Sequence, residues 1–150
     1  MTSKLIKGIT GAADGFDGKV WNVVGHTYTP KLLSENAFIW HARIPDGTFV
    51  PPHIHPTQDE WIVMLDGNLE IEFGAEVHKA GPGDTIRMPM GEAHGIFNRS
   101  GADATCVFGV APSRKLFDLF IALDGVTDPE ELVRLSALHE VDFLPPPGAE

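Results

Sequence analysis

Between Gly18 and Val110, short runs rich in Val, Ile, Phe and Trp are broken every eight to twelve residues by Gly, Pro, Asn and Asp. That rhythm predicts an antiparallel sandwich or closed barrel. The predicted strands are residues 20–25, 37–44, 53–55, 60–65, 68–73, 85–88, 95–98 and 105–110. Alternate side chains of a strand share a face, so Leu69, Ile71 and Phe73 lie on one side and Asn68, Glu70 and Glu72 on the other, marking a half-buried strand. Asp66-Gly67, between two apolar runs, reads as a tight hairpin turn whose glycine accepts positive φ. Gly81-Pro82-Gly83-Asp84 is a second break.

After Pro112 the period changes. Leu116, Phe117, Phe120 and Leu123 fall at helical spacing, as do Leu132, Leu135 and Leu138. Asp128-Pro129-Glu130-Glu131 supplies an N-cap, a first-turn proline and acidic residues suited to the positive end of the helix dipole. Both stripes are expected to pack on the outside of the sheet. The tail Pro145-Pro146-Pro147-Gly148 ends the fold. The chain thus divides into a lead-in (1–17), an all-β barrel (18–112) and an extension of two short helices and a tail (113–150).

Composition narrows the setting. A chain of 150 residues, 43 % hydrophobic, makes one domain that buries roughly 68–70 % of its unfolded surface. Cys106 has no partner for a disulfide, and residues 1–20 contain no continuous apolar stretch, so a reducing cytoplasmic setting is expected. No run approaches the ~20 apolar residues of a bilayer span, which argues against a membrane partner. With 11 basic against 21 acidic residues the net charge is −10, a field that repels phosphate backbones and disfavours nucleic acid as a partner.

Chemistry concentrates between Gly47 and Asn98. Gly47 is followed after five residues by His53, then Ile54, His55, four residues, Glu60, six residues and Gly67. On a strand His53 and His55 point to one side, and Glu60 can reach them from the next strand. Further on, Gly83, five residues, Pro89, Met90, Gly91, two residues, His94, three residues and Asn98 supply a third imidazole after a Pro-x-Gly turn. Such imidazoles and a carboxylate on rigid strands suit a divalent transition metal. Gln58 shares the Glu60 face and Asp59 the opposite one. Ile62 and Met64 look inward with Glu60, and Phe49, Pro51, Met88 and Ile96 are further pocket candidates that core packing explains equally well. His26, His41, His78 and His139 read as structural, His139 favouring a helix C-terminus. Cys106 reads as small core packing, and Arg43 and Arg87 as a solvated outer face rather than an anion site.

These two spaced sets resemble the two motifs of the cupin superfamily. The short gap from Gly67 to Gly83 is like that of small single-domain members, and the looser layout over 21–144 is similar to quercetinase-like monocupins. The resemblance implies a double-stranded β-helix, or jelly roll, holding one divalent ion (Fe, Mn, Ni, Co or Zn) through His53, His55, Glu60 and His94. Four protein ligands leave a five- or six-coordinate ion one or two open positions, the mark of a catalytic site. The expected function is a dioxygenase, an oxidoreductase acting on a small aromatic or enolisable substrate such as a flavonol or diketone, with Glu60 as ligand and general base. The alternatives are a non-redox isomerase, cyclase or lyase, and a barrel that binds a small molecule without turnover. The resemblance also implies a homodimer that shares an N-terminal strand near Trp21 and Val23.

Overall fold

The structure, a computed structural model, describes residues 5–145. The prolines 146–147 and Gly148 of the predicted tail lie outside the described residues. Eleven strands are present among them: β1 (Trp21–Val23), β2 (His26–Leu33), β3 (Phe38–Ile44), β4 (Phe49–Ile54), β5 (Asp59–Asp66), β6 (Leu69–Phe73), β7 (Glu76–Ala80), β8 (Thr85–Met88), β9 (His94–Phe97), β10 (Ala104–Ala111) and β11 (Asp142–Phe143). They form a six-stranded sheet in the order β1-β2-β3-β10-β5-β8 and a five-stranded sheet in the order β11-β4-β9-β6-β7. Every pairing is antiparallel. The result is the all-β double-stranded β-helix, with two helices, α1 (Leu116–Leu123) and α2 (Pro129–Leu138).

Asp66-Gly67 is not a hairpin turn, because β5 and β6 belong to different sheets. It is a crossover, and so is Gly81–Asp84, which carries the chain from β7 to β8. Gly67 (φ +77°) passes so close to β10 that a Cβ there would lie 2.7 Å from the Ala104 Cα, which excludes any larger residue. The true hairpins are β1–β2, β2–β3 and β6–β7.

Three strands escape the hydrophobic pattern for identifiable reasons. β2 contains Pro30, which normally argues against a strand; here it lies beyond the residues paired with β1 and beside a register shift against β3. β7 is a largely exposed edge strand carrying Glu76, His78 and Lys79, the charged dressing that protects a sheet edge. β11 has only two residues and takes its identity from pairing with β4.

The core lies between the sheets. Trp40 stacks on Phe38 (4.8 Å between centroids) and on Phe108 (5.0 Å). Tyr28, Trp21, Phe117 and Phe120 extend the aromatic cluster. Each such side chain contributes about 1.5–3 kcal/mol by leaving water. Trp21 and Val23 are buried within their own chain, and β1 pairs with β2 and forms one edge of the six-stranded sheet.

The helices do not lie on the outside of the sheet. Leu116, Leu119, Phe120 and Leu123 of α1, with Leu132 and Ser136 of α2, face the interior cavity. Asp128 caps α2 by accepting from the Glu130 N–H at 3.2 Å, with Pro129 in the first turn. On α2 the buried residue is Ser136, while Leu138 is 59 % exposed, so its face is set one residue away from the pure leucine stripe.

Candidate metal centre and its cavity

His53 lies near the end of β4 and His55 just beyond it, Glu60 on β5, and His94 opens β9 directly opposite His53. All four are buried, and one ligand atom from each falls within 4.8 Å of the others. Backbone contacts between the motif residues set this geometry. The Gly91 N–H donates to the His55 carbonyl (3.0 Å), and the Gly47 N–H donates to the Asn98 carbonyl (2.9 Å). Buried Asn98 donates its amide to the Ile44 and Ala102 carbonyls (2.8 Å each) and accepts from the Ser100 N–H and hydroxyl.

Each imidazole is oriented through Nδ1. His53 donates to the Pro51 carbonyl (2.8 Å), His55 to Gln58 Oε1 (2.9 Å) and His94 to the Glu92 carbonyl (3.2 Å). Carbonyl oxygens only accept, so all three protons sit on Nδ1 and every Nε2 keeps its lone pair. Gln58 cannot turn its amide round, because its Nε2 donates to the Pro112 (3.0 Å) and Ser113 (2.8 Å) carbonyls. Gln58 therefore orients a ligand rather than serving as one. Asp59 points outward and accepts from the Met90 N–H (2.9 Å).

The donor set fits a divalent ion. Glu60 Oε1 lies 2.8 Å from His94 Nε2 and 3.7 Å from His55 Nε2. Yet Glu60 Oε1 and His94 Nε2 are both buried without a hydrogen-bond partner. With the His94 proton on Nδ1, two lone pairs face each other, an arrangement that a metal ion, or a second proton on the imidazole, satisfies. Burial pushes the Glu60 carboxyl up, but His55, the His94 contact and His53, in their protonated forms, outweigh it and bring it to about 2. Burial, then the neighbouring His94 and His55, brings His53 down to about 3, which leaves its imidazole neutral.

Beside these ligands lies a small cavity of about 50 Å³, partly open to solvent, with mainly apolar walls. Of the predicted pocket residues, Ile96 lines it. Ile62 and Met64 do share the inward face with Glu60, but farther along β5, where with Met88 they fill the core instead of the cavity wall. Phe49 is half exposed and stacks on Phe97 (5.7 Å); a register shift between Val50 and His53 breaks the alternation, and Val50 takes the wall position. Pro51 serves through its carbonyl on His53 rather than as wall. The pattern missed Tyr28, Trp40 and Phe108, and the α1 and α2 residues that close the cavity. The inward parity of β2 is the signal that could have revealed Tyr28.

The remaining candidates are structural. His139 donates to the Leu135 carbonyl (2.7 Å) at the end of α2. His78 is exposed beside Glu76. Arg43 pairs with Asp103 on the surface, and Arg87 is exposed. Cys106 is buried, and burial pushes its thiol up to about 12, which removes it from nucleophilic chemistry. Among the described residues no helix is long and apolar enough to cross a membrane.

Comparison with known proteins agrees with this architecture. A family profile described as "Cupin domain" matches residues 40–110. A curated relative, the tetracenomycin polyketide synthase protein TcmJ of Streptomyces glaucescens, is 26 % identical over 85 residues; the match covers 56 % of this chain and 57 % of the relative. Among solved structures, an RmlC-like cupin from Shewanella frigidimarina superposes with TM-score 0.65 at 12 % identity, covering 75 % of this chain and 96 % of that one. A cupin sugar phosphate isomerase from Silicibacter pomeroyi superposes with TM-score 0.56 at 23 % identity, covering 71 % of this chain and 70 % of the other. Residues 40–110 thus match a cupin domain, and the chain shares the double-stranded β-helix fold of these structures.

Proposed function

We propose that this chain is a metal-dependent enzyme that binds a small aromatic or enolisable substrate against an ion held by His53, His55, Glu60 and His94, and that the reaction is a dioxygenation. The observation that carries the reading is the convergence of four buried ligand atoms within 4.8 Å at a mainly apolar cavity. When bound, a divalent ion in this set supplies Lewis acidity, an open position for a substrate oxygen and, for a redox-active metal, a route to O2. The protein does the rest. Glu60 is the carboxylate placed beside the ion to take the proton from the substrate enol or phenol. The Nδ1 bonds keep the three imidazoles in one tautomer, and the cavity walls exclude water from the anion formed.

A second reading, non-redox isomerisation, cyclisation or lyase chemistry, draws on the TcmJ relative, whose name places it in a polyketide synthase. An oxygen electrode separates the two. Protein reconstituted with Fe, Mn, Ni or Co and given flavonols, catechols and β-diketones consumes O2 if the first reading holds; no uptake with any metal leaves the second. A homodimer belongs to the same proposal. Exposed Leu5, Ile6 and Ile9 beside Leu32 and Ile39 support it, and a single monomer mass of 16.3 kDa in light scattering would sink it.

A further inference from the structure

Two residues around the cavity carry polar atoms that neither the ligand set nor the fold uses. Trp40 and Ser136 both line it, each 1 % exposed, and Trp40 Nε1 and Ser136 Oγ are buried without a hydrogen-bond partner. They come from different elements, β3 and α2, so no single turn explains both. Buried polar atoms left unpaired are costly and scarce, and each calls for a reason.

A third polar residue, Tyr28, borders the same space. Tyr28 lines the cavity, with its Oη 3.1 Å from His26 Nδ1. His26 Nε2 is itself buried and unpartnered. Burial brings this imidazole down to about 4, so it is neutral and carries one proton. A proton on Nε2 would strand an N–H donor; a proton on Nδ1 strands only a lone pair, the milder defect. The Nδ1 proton then goes to Tyr28 Oη, and the phenol keeps its own proton to give. Among the described residues lining the cavity, none is Lys or Arg, so no side-chain cation of the wall pairs with a phosphate or carboxylate.

We propose that the cavity receives a compact, uncharged ligand carrying ketone-type oxygen acceptors, which take hydrogen bonds from the Trp40 indole, the Ser136 hydroxyl and the Tyr28 hydroxyl. The inference rests on the reading of the cavity as the substrate site and specifies what enters it. Since Trp40 belongs to the barrel and Ser136 to α2, one ligand bonded to both also fastens the helix to the barrel.

Equilibrium dialysis of the full chain with 1-tetralone and with its hydrocarbon counterpart tetralin tests the proposal, in chelator-treated and in metal-loaded protein. The ketone binds about tenfold more tightly than the hydrocarbon in both forms. Ser136→Ala and Trp40→Phe each lower the ketone affinity several-fold and leave tetralin unchanged. Hydrogen exchange of α2 slows with tetralone in the wild type and does so less in Ser136→Ala. Equal affinities for the two probes, no binding of either, or an equal loss of both in Ser136→Ala overturns the proposal; that variant decides even if Trp40→Phe misfolds. A ketone preference that persists in protein unable to hold metal separates failure of the metal reading from failure of this one.

Discussion

Gln58 shows how much of a site depends on a residue that never touches its centre. It is a buried amide with three hydrogen bonds, and its only outward effect is the tautomer of His55. Outer partners of metal ligands typically carry about 10–100-fold in affinity, so Gln58→Ala is expected to weaken metal binding by that factor in competition with a chelating dye. His53→Ala and His94→Ala, which remove ligands, lose stoichiometric metal altogether on elemental analysis; equal metal content in both variants and the wild type would contradict the site. His26 is a different residue-scale case. Its imidazole is brought by burial from 6.5 to about 4, so the fold holds it neutral. The unfolded chain then takes up a proton that the folded chain refuses. Its contribution is fully present above pH 6.5 and lost as pH falls towards 4, about 3 kcal/mol over that window. Urea unfolding of His26→Phe is expected to show a shallower acid loss than the wild type between pH 7 and pH 4.

At the scale of elements, legibility followed burial. Strands with one buried and one wet face, such as β6, could be read from alternation alone, because each side chain reports its own environment. Those whose reason for being strands lies elsewhere could not: β7 is a charged edge, and β11 exists through its pairing with β4. The helices were legible as helices, but not their location, since an apolar stripe shows that a face is covered and not by what. One close contact tests the packing of two strands directly. Gly109 of β10 lies opposite Trp61 of β5, and a Cβ at 109 would run into the indole ring. Gly109→Ala is expected to destabilise by about 1–3 kcal/mol through that overlap, measured as a lower urea midpoint with unchanged slope.

Across the whole molecule, the ligand residues and the glycines around them could be read at fixed spacing because each meets a strict local demand. Gly47 and Gly91 need positive φ, and His53, His55, Glu60 and His94 must converge from different strands. The crossovers were hidden for a converse reason: Gly67 looks the same in a hairpin as in a passage between sheets, and only the partner strands tell them apart. A metal that binds the folded chain and not the unfolded one stabilises it by mass action, by about 2.7 kcal/mol at a hundredfold excess over Kd. Adding Zn(II) or Mn(II) to chelator-treated protein is expected to raise Tm progressively with concentration, and His53→Ala is expected to abolish the rise.

The Gln58 anchor also sets an order of events on the ribosome. All four ligand residues have been made once His94 is added, but the carbonyls that hold Gln58 belong to Pro112 and Ser113, and 113 − 94 leaves 19 more residues to translate. Phe143, whose ring lies 5.3 Å from that of His53, arrives later still. A nascent chain therefore carries every ligand before it can lock His55 in its working tautomer, and metal selection by the finished geometry waits for the segment at 112–113.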